Sequence, residues 1–196
     1  MRLHLCSGAR IEPGWINLDM DPPAEVRHDV RAGLPFPDEH FSHIYSEHAI
    51  EHFTSQQGVA LLRECKRVLK PGGALRLSTP DLRCLAALYQ QAYKLADTGP
   101  EPFVAQIQTN QLRYYGDPLR FYEKVGFVAQ TPAQLINQGM RDWGHLHLYD
   151  EFELSLALSV AGFRHARRQT YQRTDVPDMI VEGRPDCNEL IMEAVR

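Results

Sequence analysis

The chain has 196 residues, of which 43% are hydrophobic and 23% charged, with a formal net charge of −4. Those proportions fit one globular domain around one core, residues 1–196, and exclude a disordered chain. The mild negative charge argues against a nucleic-acid partner, whose footprint makes a domain basic, and no apolar run is long enough to span a bilayer.

In chain order, "RLHLC" (2–6) is short and alternating and runs into "SGAR", which predicts a strand entering a turn. "WINLDM" (15–20) predicts a second strand, stopped by Asp21-Pro22-Pro23, and "EVRHDV" (25–30) a third, ending near Asp29. "LPFPDEHF" is a proline-punctuated loop and "SHIYS" (42–46) a fourth strand. From Gln56, Val59, Leu62, Cys65, Val68 and Leu69 recur at helical spacing, and "KPGG" must end that helix. "ALRLST" (74–79) predicts a fifth strand, closed by Pro80-Asp81.

Leu82, Leu85, Ala86, Tyr89, Ala92, Tyr93 and Ala96 mark one face of the next helix. Residues 97–140, rich in Gln, Tyr and Pro and without a clean period, are expected to form an inserted, partly helical cap. Asp150 with Glu153 starts a further helix that stops at Gly162. "FRHARRQTYQR" (163–173) and "NELIMEAV" (188–195) are the last candidate strands, the basic run Arg164, His165, Arg167 and Arg168 being a solvated strand face. Strands alternating with helices predict an α/β sandwich with a mostly parallel sheet.

Four cysteines, Cys6, Cys65, Cys84 and Cys187, show no C-x-x-C spacing, and no signal-peptide pattern opens the chain. The expectation is free thiols in a reducing cytoplasm. In parallel sheets ligands bind beyond the carboxyl ends of the strands. Those ends here are "CSG" (6–8), "LDM" (18–20), "HDV" (28–30), "SEH" (46–48) and "TPD" (79–81). Asp19 and Asp29 end successive strands: one carboxylate so placed accepts both hydroxyls of a ribose, and a second accepts from an adenine amino group. Both are equally good turn formers and caps.

The ordered set "LHLCSG", "GWINLD", "DVRAGLPFPDEHFSHIYSEHAIEHF", "LLRECKRVLKPGGALRLSTPDL" and "GHLHLYDEFELSLALSVAGF" resembles the class I S-adenosylmethionine-dependent methyltransferases, of the small bacterial type. The resemblance implies a Rossmann-like three-layer sandwich, S-adenosylmethionine as cofactor with S-adenosylhomocysteine as product, and a small-molecule acceptor. Residue by residue, it places Cys6, Ser7 and Gly8 against the methionine part of the cofactor. Asp19 would hold the ribose hydroxyls with Met20 beside the adenine, and Asp29 and Val30 would touch the adenine edge. Ser46 and Glu47 would line the methionine and sulfonium region. Cys6 stands where the family has its first glycine, so the turn should tilt or bring a Cβ against the cofactor. About nine residues separate Gly8 from Leu18, where a parallel crossover takes a dozen or more, so the first helix should shrink to a turn.

The string "SEHAIEHF" (46–53) contains H-x-x-E-H, the inverted zinc-peptidase motif, in His48, Glu51 and His52. A peptidase needs that motif inside a long helix, whereas here it begins at a strand end where the methyltransferases have a similar string. A divalent ion on His48, Glu51, His52 and a histidine of "GHLHLYD" (His145 or His147) resembles the small-RNA 2′-O-methyltransferases, although His48 softens the set for Mg²⁺. The reading preferred to a metal is that Glu51 and His52 fix the loop and shape the acceptor pocket; for a hydroxyl acceptor His52 and His145 are the candidate general bases, imidazole having the right pKa. No "N-P-P-Y"-like string follows the fourth strand, which argues against exocyclic-amine or glutamine acceptors, and the family resemblance implies a hydroxylated small molecule or a sugar. Tyr114, Tyr115, Phe121, Tyr122 and Trp143 would close over that acceptor or form a satellite core. The alternative from another class is a methyltransferase-fold binding module without catalysis, which Cys6 and the short crossover motivate.

Overall fold

Leu3 and Leu5 are buried side chains of an interior strand of the sheet, which the alternation at the start of the chain builds. The computed structural model describes residues 1–96, 131–183 and 189–196. Its elements in order are β1 (Arg2–Leu5), β2 (Ile16–Asp19), β3 (Val26–Arg27), β4 (Phe41–Glu47), α1 (Ser55–Val68), β5 (Leu69–Pro80) and α2 (Leu82–Ala96). After the 97–130 stretch come α3 (Pro132–Arg141), α4 (Glu151–Ala161), β6 (Arg164–Gln169) and β7 (Glu189–Val195). The aromatics Tyr114 to Tyr122 and most of the expected cap lie outside the described residues.

The described strands form one sheet in the order β3-β2-β1-β4-β5-β7-β6, parallel except for β7, which runs antiparallel to both neighbours. This is the α/β class that the alternation predicts. One row across it reads Ile16, Leu3, Ile44, Leu75, Ala194, and joins the core that α1 and α4 cover with Leu62, Cys65, Leu154 and Leu158. Burial of such a row is the main favourable term in holding the sheet. Local signals set the helix ends. Thr54 and Gln57 form a reciprocal capping box at α1, and Asp150 caps α4, whose C-terminus Gly162 closes at φ 91°.

The opposite face carries a polar row: Asn17, His4, Tyr45, Arg76, Glu193, Arg167. No helix joins β1 to β2, since residues 6–15 are turns and bends, as the short spacing predicts. The β6–β7 connection lies over this face instead. Its Met179 packs with Trp15, Tyr45 and Ala74, and its Glu182 takes the Nε and an Nη of the fully buried Arg76 at 2.7 Å each. Among the described residues no helix is long and apolar enough to cross a membrane.

Candidate functional site

Beyond the carboxyl ends of β1, β2 and β4 lies a cavity of about 650 Å³, within the range of roughly 300–1,000 Å³ usual for small-molecule sites. Cys6, Ser7 and Gly8 from the first turn, Asp19 and Met20 after β2, Asp29 and Val30 after β3, and Glu47 ending β4 all line it. Ser46 does not. The strand pleat turns it to the other face, where it is buried with Leu5, Ile50, Leu62 and Ser78 beneath α1.

The first turn is built without its expected glycine. Cys6 adopts φ +53°, the left-handed region that L-residues avoid, and Gly8 follows at φ +55°. The turn therefore keeps a glycine's conformation despite the Cβ. Burial, with Asp19, Glu51 and Asp29 nearby, pushes the Cys6 thiol up to about 12, so it is a neutral packing group. Ser7 Oγ is buried without a hydrogen-bond partner, a polar atom at the cavity wall that a bound molecule could satisfy. The Gly8 N–H donates to Asp19 Oδ2 at 2.9 Å and the Asp21 N–H to Oδ1 at 3.1 Å, so Asp19 pins the first turn to the end of β2.

Asp29 is held differently. Arg31 grips both of its oxygens, Nε to Oδ1 at 2.9 Å and an Nη to Oδ2 at 2.7 Å, while Oδ1 caps the turn Val30–Ala32. The Arg31 hydrogen bonds hold its carboxyl down at about 2.

His48, Glu51 and His52 do not form a helical metal motif. His48 has φ +51°, and a single 3₁₀ turn spans Ile50–His52. The two histidines thus share no helical face, and the peptidase arrangement is absent here. The His48 ring lies between two acids, 3.1 Å from Glu51 and 2.6 Å from Glu189. Glu51 is fully buried and also accepts from Thr79 Oγ at 3.0 Å. Burial alone would raise its carboxyl, but the hydrogen bond and charge of His48 bring it below the ordinary range.

The Glu51 carbonyl accepts the N–H groups of Leu146 and His147, which ties the "GHLHLYD" segment to the string. As a result the rings of His52 and His145 meet edge to face with centroids 5.1 Å apart. His52 lines the cavity, and His145 sits behind it. His145 Nδ1 lies 3.1 Å from the Gly139 carbonyl, which can only accept, so Nδ1 carries the proton and Nε2 a lone pair. Burial lowers the His145 pKa, which keeps the ring neutral near pH 7. His147 is directed elsewhere, to Glu153 at 2.7 Å. Ligand-capable atoms of Glu51, His52 and His145 lie within 4.8 Å of one another, so these three, and not His48, could hold a divalent ion. Trp143, at φ +61°, is half-exposed and its ring stands 5.5 Å from that of His145.

Sequence reasoning misses His4, Arg10 and Gly183, which also line the cavity. His4 reads as one more strand residue. Arg10 is hidden in a turn, and Gly183 comes from a loop whose path across the sheet no periodicity encodes.

Residues 15–77 match the family model of a methyltransferase domain. Over 60 residues, 31% of this chain, the sequence is 38% identical to a protein of Mycolicibacterium smegmatis described as a probable S-adenosylmethionine-dependent methyltransferase. Over 66 residues, 34% of the chain, it is 38% identical to methyltransferase tpcH of Aspergillus fumigatus. The matches span 23% and 21% of those proteins, less than a quarter of either relative. The fold is similar over 100% of the chain to that of a SAM-dependent methyltransferase from Archaeoglobus fulgidus, with TM-score 0.55, 12% identity and 85% of that chain covered. A SAM-dependent methyltransferase from Thermotoga maritima aligns over 99% of this chain and 81% of its own, with TM-score 0.53 and 14% identity.

Proposed function

We propose that this chain is a class I S-adenosylmethionine-dependent methyltransferase and that it transfers the methyl group to an oxygen of a small hydroxylated or sugar-like acceptor. The cavity suits the cofactor on three counts: its volume, the unpartnered Ser7 Oγ in its wall and the Asp19 carboxylate at the end of β2. In this reading Asp19 holds the ribose hydroxyls and Met20 flanks the adenine. Asp29 and Val30 border its edge, and the Cys6–Gly8 turn faces the methionine part. The cofactor supplies a methyl group activated on a sulfonium.

The chain supplies alignment and a place for the acceptor's proton. His52 stands at the cavity wall to take that proton, and His145 packs against its ring from behind. Glu51 offers a buried negative charge beside both, which steadies an imidazolium once formed. This pair of imidazoles beside the cavity is the observation that carries the choice of oxygen. The test is transfer of labelled methyl to a panel of hydroxyl, amine and thiol acceptors. Label in base-stable ethers supports the reading, and label confined to amines overturns it.

A second reading, a binding module of the same fold, draws on Cys6. A Cβ in the left-handed turn narrows the approach of backbone to ligand. Tight cofactor binding with no turnover on any acceptor would select it.

A further inference from the structure

We infer that Arg10 and Glu47 recognise the amino-acid end of the cofactor, Arg10 taking the α-carboxylate and Glu47 the α-ammonium. The inference rests on reading the cavity as the cofactor site. It starts from the sheet order. β2 and β3 lie on one side of β1 and β4 on the other. With Asp19 and Asp29 on the nucleoside side, the amino-acid end falls toward Glu47.

At that end the wall carries Arg10 between two acids, Nη1 3.1 Å from Glu47 Oε2 and Nη2 3.3 Å from Glu12 Oε2, and the side chains of Arg10 and Glu47 line the cavity. A zwitterion complements such a pair charge for charge, and a planar guanidinium matches a carboxylate with two parallel hydrogen bonds. The short crossover also leaves no helix N-terminus to face an anion. Arg10 sits in that same crossover and provides the positive charge the missing helix would have given.

The pair is fixed in advance. Glu47 Oε2 also receives Tyr45 O–H at 3.1 Å and Gly183 N–H at 3.3 Å. Both Nη atoms of Arg10 donate to the Val181 carbonyl at 3.2 Å, and the guanidinium lies 5.5 Å from the Tyr45 ring centre. A Cβ on Gly183 would come within 2.9 Å of Arg10 Nη1, so that position closes around the guanidinium. Glu182, one residue away, is clamped by Arg76, which holds the loop in place. A partly buried ion pair contributes little to folding once desolvation is counted. Its place at the cavity wall gives it a binding role.

Two probes separate the ends of the cofactor: S-adenosylhomocysteine carries the amino-acid group and 5′-methylthioadenosine lacks it. Calorimetric titration of the wild type should show the first binding far more tightly. Arg10→Ala and Glu47→Gln should each weaken S-adenosylhomocysteine by roughly tenfold to a hundredfold, the scale of lost charge-assisted hydrogen bonds. Methylthioadenosine should stay within about twofold, since its contacts are untouched. Gly183→Ala, which crowds Arg10 without removing it, should give the same selective loss. Parallel loss of both probes, or no loss of either, overturns the inference. So does a wild type that binds the two equally, and that result leaves the cofactor site itself standing. A wild type that binds neither removes both.

Discussion

The rings of His52 and His145 meet edge to face, 5.1 Å between centroids, although one ends a 3₁₀ turn after β4 and the other follows α3. Two Glu51 carbonyl hydrogen bonds, from Leu146 and His147, hold the second segment there. If His52 takes the acceptor proton, His52→Ala should lower turnover by about a hundredfold or more, with cofactor affinity nearly unchanged. Turnover and affinity measured on the same mutant check this. If instead Glu51, His52 and His145 hold an ion, a chelator should depress the wild-type rate to the same extent, and excess Mn²⁺ or Zn²⁺ should restore it.

The pH dependence follows from burial. His145 is pushed below the ordinary histidine value by desolvation, so it is unprotonated at neutral pH. Protonating His145 places a cation behind His52 and opposes uptake of the acceptor proton there, so this contribution lowers the rate on the acid side of about pH 6.5. Stability should follow the same direction. His4, His43 and His145 all have folded-state pKa values lowered by burial, so the unfolded chain binds more protons below about pH 6.5 and stability falls as pH drops through that window. Glu51, also lowered, adds a contribution that is present above the unfolded carboxylate value of about 4.3 and is lost as pH falls through its folded value. Denaturant melts between pH 4.5 and 8 measure the slope, which His4→Gln should flatten below about pH 6.5.

Cys6 stores strain at φ +53°. Cys6→Ala keeps the Cβ and loses the thiol, whereas Cys6→Gly loses both and relaxes the turn. The glycine variant should be the more stable of the two by about 0.5–1 kcal/mol, because left-handed backbone costs an L-residue more than glycine loses in chain entropy. Thermal melts of the pair decide it, and a less stable glycine variant would contradict the strain.

Arg76 is the one fully buried arginine among the described residues, and it binds Glu182 and Glu193, the latter at 2.6 Å. Arg76→Met leaves two acids without their cation and should cost roughly 3–5 kcal/mol. Adding Glu182→Gln and Glu193→Gln should recover part of it, since the uncompensated charges are then gone. Urea unfolding of the single and triple mutants tests the claim.

The parts of the fold written in local pattern were legible in the sequence. Alternation marks β1, helical spacing marks α1, and Pro71 with Gly72 and Gly73 marks the break after it. Strand-end logic likewise brings Asp19, Asp29 and Glu47 to one cavity. Ser46 stays out of that cavity because alternation along β4 sends neighbouring side chains to opposite faces, so Ser46 and Glu47 cannot both line it. Arg10 and Gly183 were illegible because they meet across Glu47 only in three dimensions, joined by a loop that polar contacts, not apolar periodicity, fold onto the sheet. Arg76 reads as a strand residue like its neighbours, and nothing local foretells its two acids.

The Asp19 carboxylate joins the first turn to the end of β2 at the cavity wall, where a ribose would have to meet it. The direct measurement is calorimetric titration of S-adenosylhomocysteine into the wild type and into Asp19→Ala, with a thermal melt of each. Saturable binding at one site per chain is expected in the wild type. In the mutant, affinity should fall by roughly 2–4 kcal/mol while the fold is retained. No binding to the wild type at millimolar ligand, or equal affinity in the two proteins, would contradict it.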